Sequence, residues 1–197
     1  MKAIEVHISL QGRTRQVGTL FREIQRRREL VAFRYDPSWI EDRRRFSLDP
    51  ALRVDQGTFH PKRGQSLFGS MSDSAPDSWG RRLMRRNEFR KAGHEGRKPR
   101  TLSETDYLLG VSDVSRQGAL RFKFPAEREF QRPAGSGVPK LVNLRRLLTA
   151  AERIDRGEED DKDLAELFAP GSSLGGARPK AGRFFFERPE LSMVGEG

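Results

Sequence analysis

The chain has 197 residues, 35% of them hydrophobic and 34% charged, with 38 Lys and Arg against 28 Asp and Glu and no cysteine. That length suits one domain or two small ones. The missing cysteines exclude a disulfide scaffold and any Cys-based metal site, and fit a reducing cytoplasm. Charges interrupt the N-terminus at once (Met1-Lys2-Ala3-Ile4-Glu5), so no signal core is expected there, and no run approaches the ~18 apolar residues of a membrane span. The formal charge of +10 favours a polyanionic partner: nucleic acid, nucleotide or an acidic protein. The arginines are spread along the chain, as in Arg26-Arg27-Arg28, Arg43-Arg44-Arg45 and Arg85-Arg86, and read as solvated faces ahead of a dedicated patch.

Residues 4–10 alternate, with Ile4, Val6, Ile8 and Leu10 on one side and Glu5, His7 and Ser9 on the other, which predicts a half-buried strand. Gln11-Gly12-Arg13 is a turn. A second strand is expected over 14–21 and a third near 30–35, where Val31, Phe33 and Tyr35 alternate with Ala32 and Arg34. Asp36-Pro37 ends it, because proline lacks a donor. The front end therefore reads as an antiparallel meander. Residues 46–69 read as turns and short strands.

Ser72 to Gly80 offers Ser and Asp caps with Pro76 at a first helical position, and the helix should run to about Lys91 with Trp79, Leu83 and Met84 as its apolar stripe and Gly93 as its stop. Ser103-Glu104-Thr105-Asp106 resembles a capping box for a short helix with Tyr107, Leu108 and Leu109. Gly118 to Phe124 reads as a strand. Residues 131–139 form a linker or loop. Pro139 opens an amphipathic helix whose stripe is Leu141, Leu144, Leu148, Ala151 and Ile154. Glu158-Glu159-Asp160-Asp161 is a solvated acidic loop that also caps a helix over Leu164–Phe168. Trp39 and Trp79 are expected to pack in the core. No His pair has metal-ligand spacing, and no Gly-x-Ser-x-Gly nucleophile elbow occurs.

The segment that can carry chemistry is Gly171-Ser172-Ser173-Leu174-Gly175-Gly176-Ala177-Arg178-Pro179-Lys180. Its glycines allow close backbone approach, and successive N–H groups in such a turn can face an anion. Two hydroxyls and two cations lie in the same stretch. It is neither a Walker loop nor a dinucleotide fingerprint. By composition it is a phosphate cradle or an ordinary flexible loop.

Five pieces in order resemble HipA-type serine/threonine kinases, the toxin components of bacterial type II toxin–antitoxin modules. They are Val17-Gly18-Thr19-Leu20; Phe33 to Ile40 with Phe46-Ser47-Leu48; Phe68-Gly69 with Ser74-Ala75-Pro76-Asp77-Ser78-Trp79-Gly80; Gly118 to Phe122; and Ser172 to Lys180. The resemblance implies an α+β fold: a small antiparallel sheet with packed helices over 1–126, a linker over 127–139, a helical segment over 140–168 and the first piece of a kinase-like lobe over 169–186. The polar tail over 187–197 does not resemble the family continuation and is expected to be disordered. It implies that Gly175, Gly176, Ala177, Arg178 and Lys180 cover the ATP phosphates and that Ser172, or Ser173, is autophosphorylated. ATP and Mg²⁺ are the implied cofactors of the full-length family. The implied partner is a HipB-like DNA-binding antitoxin or a complementing kinase chain, with DNA association through that partner and no membrane.

Phosphoryl transfer needs catalytic and metal-binding aspartates. In the family they follow the glycine loop, but the 17 residues after Lys180 contain no Asp and no Lys. The expectation is a chain truncated after the loop, without catalytic residues, that binds ATP unproductively if at all and acts through binding. Two other readings stand beside it: part of an active kinase whose C-terminal half is missing, and a basic nucleic-acid-binding module.

Overall fold

The structure, a computed structural model, describes residues 1–26, 28–113, 116–131, 144–168, 172–173 and 180–181. Three long strands open the chain: β1 (Lys2–Leu10), β2 (Arg13–Gln25) and β3 (Arg28–Tyr35). The helices α1 (Pro37–Glu41), α2 (Gly69–Ser72), α3 (Ser78–His94) and α4 (Glu104–Leu109) follow, and then β4 (Leu120–Lys123). Helices α5 (Leu144–Arg156) and α6 (Asp161–Phe168) precede two short strands, β5 (Ser172–Ser173) and β6 (Lys180–Ala181).

The first four strands form one antiparallel sheet in the order β3-β2-β1-β4, so the fold is α+β as expected. The β1–β2 connection is a tight hairpin, with Gln11 at φ 50° and Gly12 at φ 72°, the twist that a two-residue turn between antiparallel strands prefers. The register slips between Val6 and His7: Val6 faces Gly18, while His7 faces Gln16. The glycine beside the bulge has a packing reason. A Cβ on Gly18 would lie 2.4 Å from the Phe33 ring and 2.3 Å from the Arg34 carbonyl oxygen, so only glycine lets Phe33 close over the strand.

One sheet face builds the first core. Ile4, Val6, Leu20, Phe33 and Phe122 are buried there against Trp39, Leu52, Phe68, Met71 and Leu108. Tyr35 ties the loop to the sheet: its hydroxyl donates to the Leu52 carbonyl (2.7 Å) and accepts from the Leu48 N–H (3.2 Å). Burial pushes the Tyr35 phenol above its usual range. Both tryptophans lie in cores, as expected, Trp39 in this one and Trp79 in the second.

A second core joins α3 and α4 to α5 and α6 through Trp79, Leu83, Tyr107, Leu147, Ala151, Ile154, Leu164 and Leu167. Four readings need correction. Pro37 does end β3, but with Asp36 as N-cap it also starts α1. Helix α3 is capped by Asp77, whose carboxylate accepts from Trp79 and Gly80 N–H, so Pro76 lies outside it; Gly93 lies inside, and Gly96, at φ 63°, follows the end. The buried face of α5 runs through Leu147, Ala150, Ala151 and Ile154, and Leu148 is exposed. The acidic run 158–161 does cap α6, through Asp160 and Asp163, but the helix begins at Asp161 instead of Leu164, and Glu159 and Asp161 also pair with α3. Leu141, the 132–139 linker, the 182–197 tail and Phe184 to Phe186 lie outside the described residues.

Candidate functional site

The glycine-rich segment is bracketed by a small antiparallel ladder, with Ser172 opposite Ala181 and Ser173 opposite Lys180. The ladder follows α6, which anchors it to the second core through Leu164 and Leu167. Backbone pairing thus brings together the two ends of the segment in which the sequence places a phosphate cradle. Of the predicted site residues, Ser172, Ser173 and Lys180 lie on these strands, while Gly175, Gly176, Ala177 and Arg178 lie outside the described residues.

Upstream, charged groups join the sheet to the helices. Arg22 sits on the buried face of β2, with Nε 2.8 Å from Glu29 and Nη1 3.0 Å from Asp106, and it also donates to the Ser103 hydroxyl at 2.9 Å. Ser103 caps α4 in a true capping box with Asp106. Arg100 reaches Asp106 (3.2 Å), and Arg97 donates to Glu88 on α3 (2.6 Å). Burial pushes the Asp106 carboxyl up, but the Ser103 N–H, Arg22 and Arg100 outweigh it and hold the group below its usual range. Arg97 and the Arg100 N–H hold Glu88 low in the same way, against its burial. Arg22, Glu29 and Asp106 are the buried part of this charge chain, and removing one of them strands the others.

A second set of ion pairs runs along α3. Arg82, Arg86, Arg90 and His94 recur every four residues, which puts them on one helix face. They meet Asp155, Glu159 and Asp161 in the same order, and Arg90 also donates to the Glu159 carbonyl. Arg90 is the main cause of the lowered Asp161 carboxyl. Arg82, Asp155 and Asp161 remain 43%, 57% and 58% exposed, so most of these pairs are wet and individually weak.

Two concavities accompany these elements. A groove of about 380 Å³ beside β3 is lined by Phe21, Leu30, Ala32, Lys62 and Arg63. Another, of about 610 Å³, lies on α3 among Arg82, Arg85, Arg86, Phe89, Arg90 and Glu159. Sequence reasoning missed the α3 groove, although the arginine spacing and the apolar Phe89 among arginines were readable signals. Among the described residues no group of three His, Asp or Glu could hold a metal ion, and no helix is long and apolar enough to cross a membrane.

The motif pieces in the N-terminal half have structural jobs. Gly18 admits Phe33, Phe68 fills the first core, Asp77 caps α3, and Trp79 fills the second core. Residues 7–101 match the family model described as the HipA N-terminal domain. No curated protein matches the chain. The matched span runs from within β1 to just before α4 and so includes the end of β1, all of β2 and β3, and helix α3. Over residues 7–101 the chain is thus similar to the HipA N-terminal domain, as an N-terminal HipA-like fragment would be.

Proposed function

We propose that this chain is the front part of a HipA-type toxin kinase, acting by binding: its N-terminal domain holds a HipB-like antitoxin, and its 172–181 hairpin presents a glycine loop suited to ATP phosphates. The observation that carries the reading is the order of parts. The HipA N-terminal domain of residues 7–101 is followed by a helical layer and then by a ladder that closes the Gly175-Gly176 segment. In that role the N–H groups of Gly175, Gly176 and Ala177, with Arg178 and Lys180, face the phosphates. ATP with Mg²⁺ would supply the transferable phosphoryl group, and Ser172 or Ser173 would be its acceptor.

Phosphoryl transfer by the family relies on aspartates after this loop, and residues 181–197 contain none. The test is to incubate the purified 197-residue chain with Mg²⁺ and labelled ATP, and to pass it with a HipB-like antitoxin over a sizing column. We expect co-elution with the antitoxin and no phosphate on Ser172 or Ser173. Robust phosphorylation by the chain alone overturns the assignment to binding, and failure to co-elute overturns the partner.

A further inference from the structure

We infer that the arginine face of α3 is a binding site for single-stranded nucleic acid. Arg82, Arg85, Arg86 and Arg90 surround a groove of about 610 Å³, and Phe89 stands in it with 68% of its surface exposed. The helix buries Trp79, Leu83 and Met84, but among the described residues Phe89 joins neither core. Successive arginines at i, i+4 and i+8 step about 6 Å along the helix, each presenting a planar fork that suits a phosphate. An aromatic ring among such cations is the arrangement that takes an unpaired base on its face while the backbone runs past the guanidinium groups. A duplex hides its base faces, so Phe89 selects the single strand.

In the free chain the site is partly occupied by the chain itself. Asp155, Glu159 and Asp161 pair with Arg82, Arg86 and Arg90, whereas among the described residues Arg85 meets only the Tyr107 hydroxyl, at 3.5 Å. The Arg82 and Arg90 pairs, whose acids are 57% and 58% exposed, are weak enough for phosphates to replace the carboxylates, while the Arg86–Glu159 pair is more sheltered. The acidic run thus acts as an internal competitor that sets the affinity. This site is independent of the kinase reading, because it uses nothing in 172–181.

The test is fluorescence anisotropy of the full 197-residue chain with a labelled 20-nucleotide oligo-dT and with a duplex of equal length, across salt concentrations. We expect the single strand to bind more tightly, with log affinity falling against log salt by about 0.7 per phosphate neutralised. Phe89→Ala should weaken binding roughly 5- to 100-fold, the range for losing one stacked base. Arg85→Glu should weaken it at least as much, and Glu159→Gln should tighten it. Thermal melts of the Phe89 and Arg85 variants should match the parent, since both side chains are exposed. No binding at ~50 mM salt overturns the inference. Equal affinity for the duplex, insensitivity to Phe89→Ala, or equal binding of poly-glutamate also overturns it. Unchanged binding by Lys180→Ala separates this site from the hairpin.

Discussion

The sheet half and the helical half of the chain are held by different forces. In the sheet half, Ile4, Leu20, Phe33, Phe68 and Phe122 are sealed from water, and the strands run in long antiparallel registers. In the helical half, a smaller apolar core is flanked by the α3 arginines and their acids, most of them half in solvent. Salt does not weaken apolar burial, and excluded salts strengthen it, whereas exposed ion pairs weaken with salt. The contrast teaches that the first half specifies a shape, and the second half carries charge that can be redirected. Arg22 and Asp106 form the joint between them.

The comparison is broken most severely in the sheet core. Phe33→Ala should cost about 3–5 kcal/mol in urea melts, because the ring lies at the centre of the first core and touches Tyr35 and Phe68 edge-on. A loss under ~1 kcal/mol would move the centre of the core elsewhere. Cutting the joint comes next. Asp106→Ala removes the acceptor shared by Arg22 and Arg100, and should cost about 3 kcal/mol by leaving Arg22 only Glu29 as an acid partner. Gly18→Ala should cost about 1–3 kcal/mol, since the new methyl group meets both backbone and ring at under 3 Å.

Acid provides a gentler probe. The folded pKa of Asp106 is lowered, so the unfolded state binds more protons as the pH falls. Its stabilisation is complete above the unfolded value near ~3.9 and is lost as pH drops through the folded value. Chemical melts between about pH 6 and 2 should show this loss, and Asp106→Asn should flatten it. The smallest effect separates the halves most cleanly. Raising NaCl from ~0.1 to ~1 M should speed amide exchange in α5 and α6 while leaving β1 and β2 unchanged.

Much of the sheet was legible in the sequence because one of its faces is open, so Ile4, Val6 and Ile8 alternate with Glu5 and His7. The extension of β2 to Gln25 was not legible, since Arg22 looks like a surface residue until Asp106, far along the chain, supplies its counter-charge. Pro37 was legible as a stop but not also as a start; Asp36 beside it carried that signal. On α5, Leu147 and Leu148 are chemically alike, and only packing against α3 and α6 decides which is buried. The acidic run read as solvated because its arginines lie about seventy residues away. Glycine content marked the 171–180 segment, but the ladder that joins its ends depends on pairing, which composition does not encode.

Strand β4 has one more consequence. It pairs with β1 through Glu5–Lys123, Val6–Phe122, His7–Arg121 and Ile8–Leu120, yet it lies beyond the residues that match the family domain. While the chain emerges from the ribosome, β1 keeps one side unpaired until more than 120 residues have been made. An expression fragment ending at residue 101 would keep that side open permanently, as a template for strand addition and aggregation. The boundary of the matched family domain is thus not the boundary of the unit that folds.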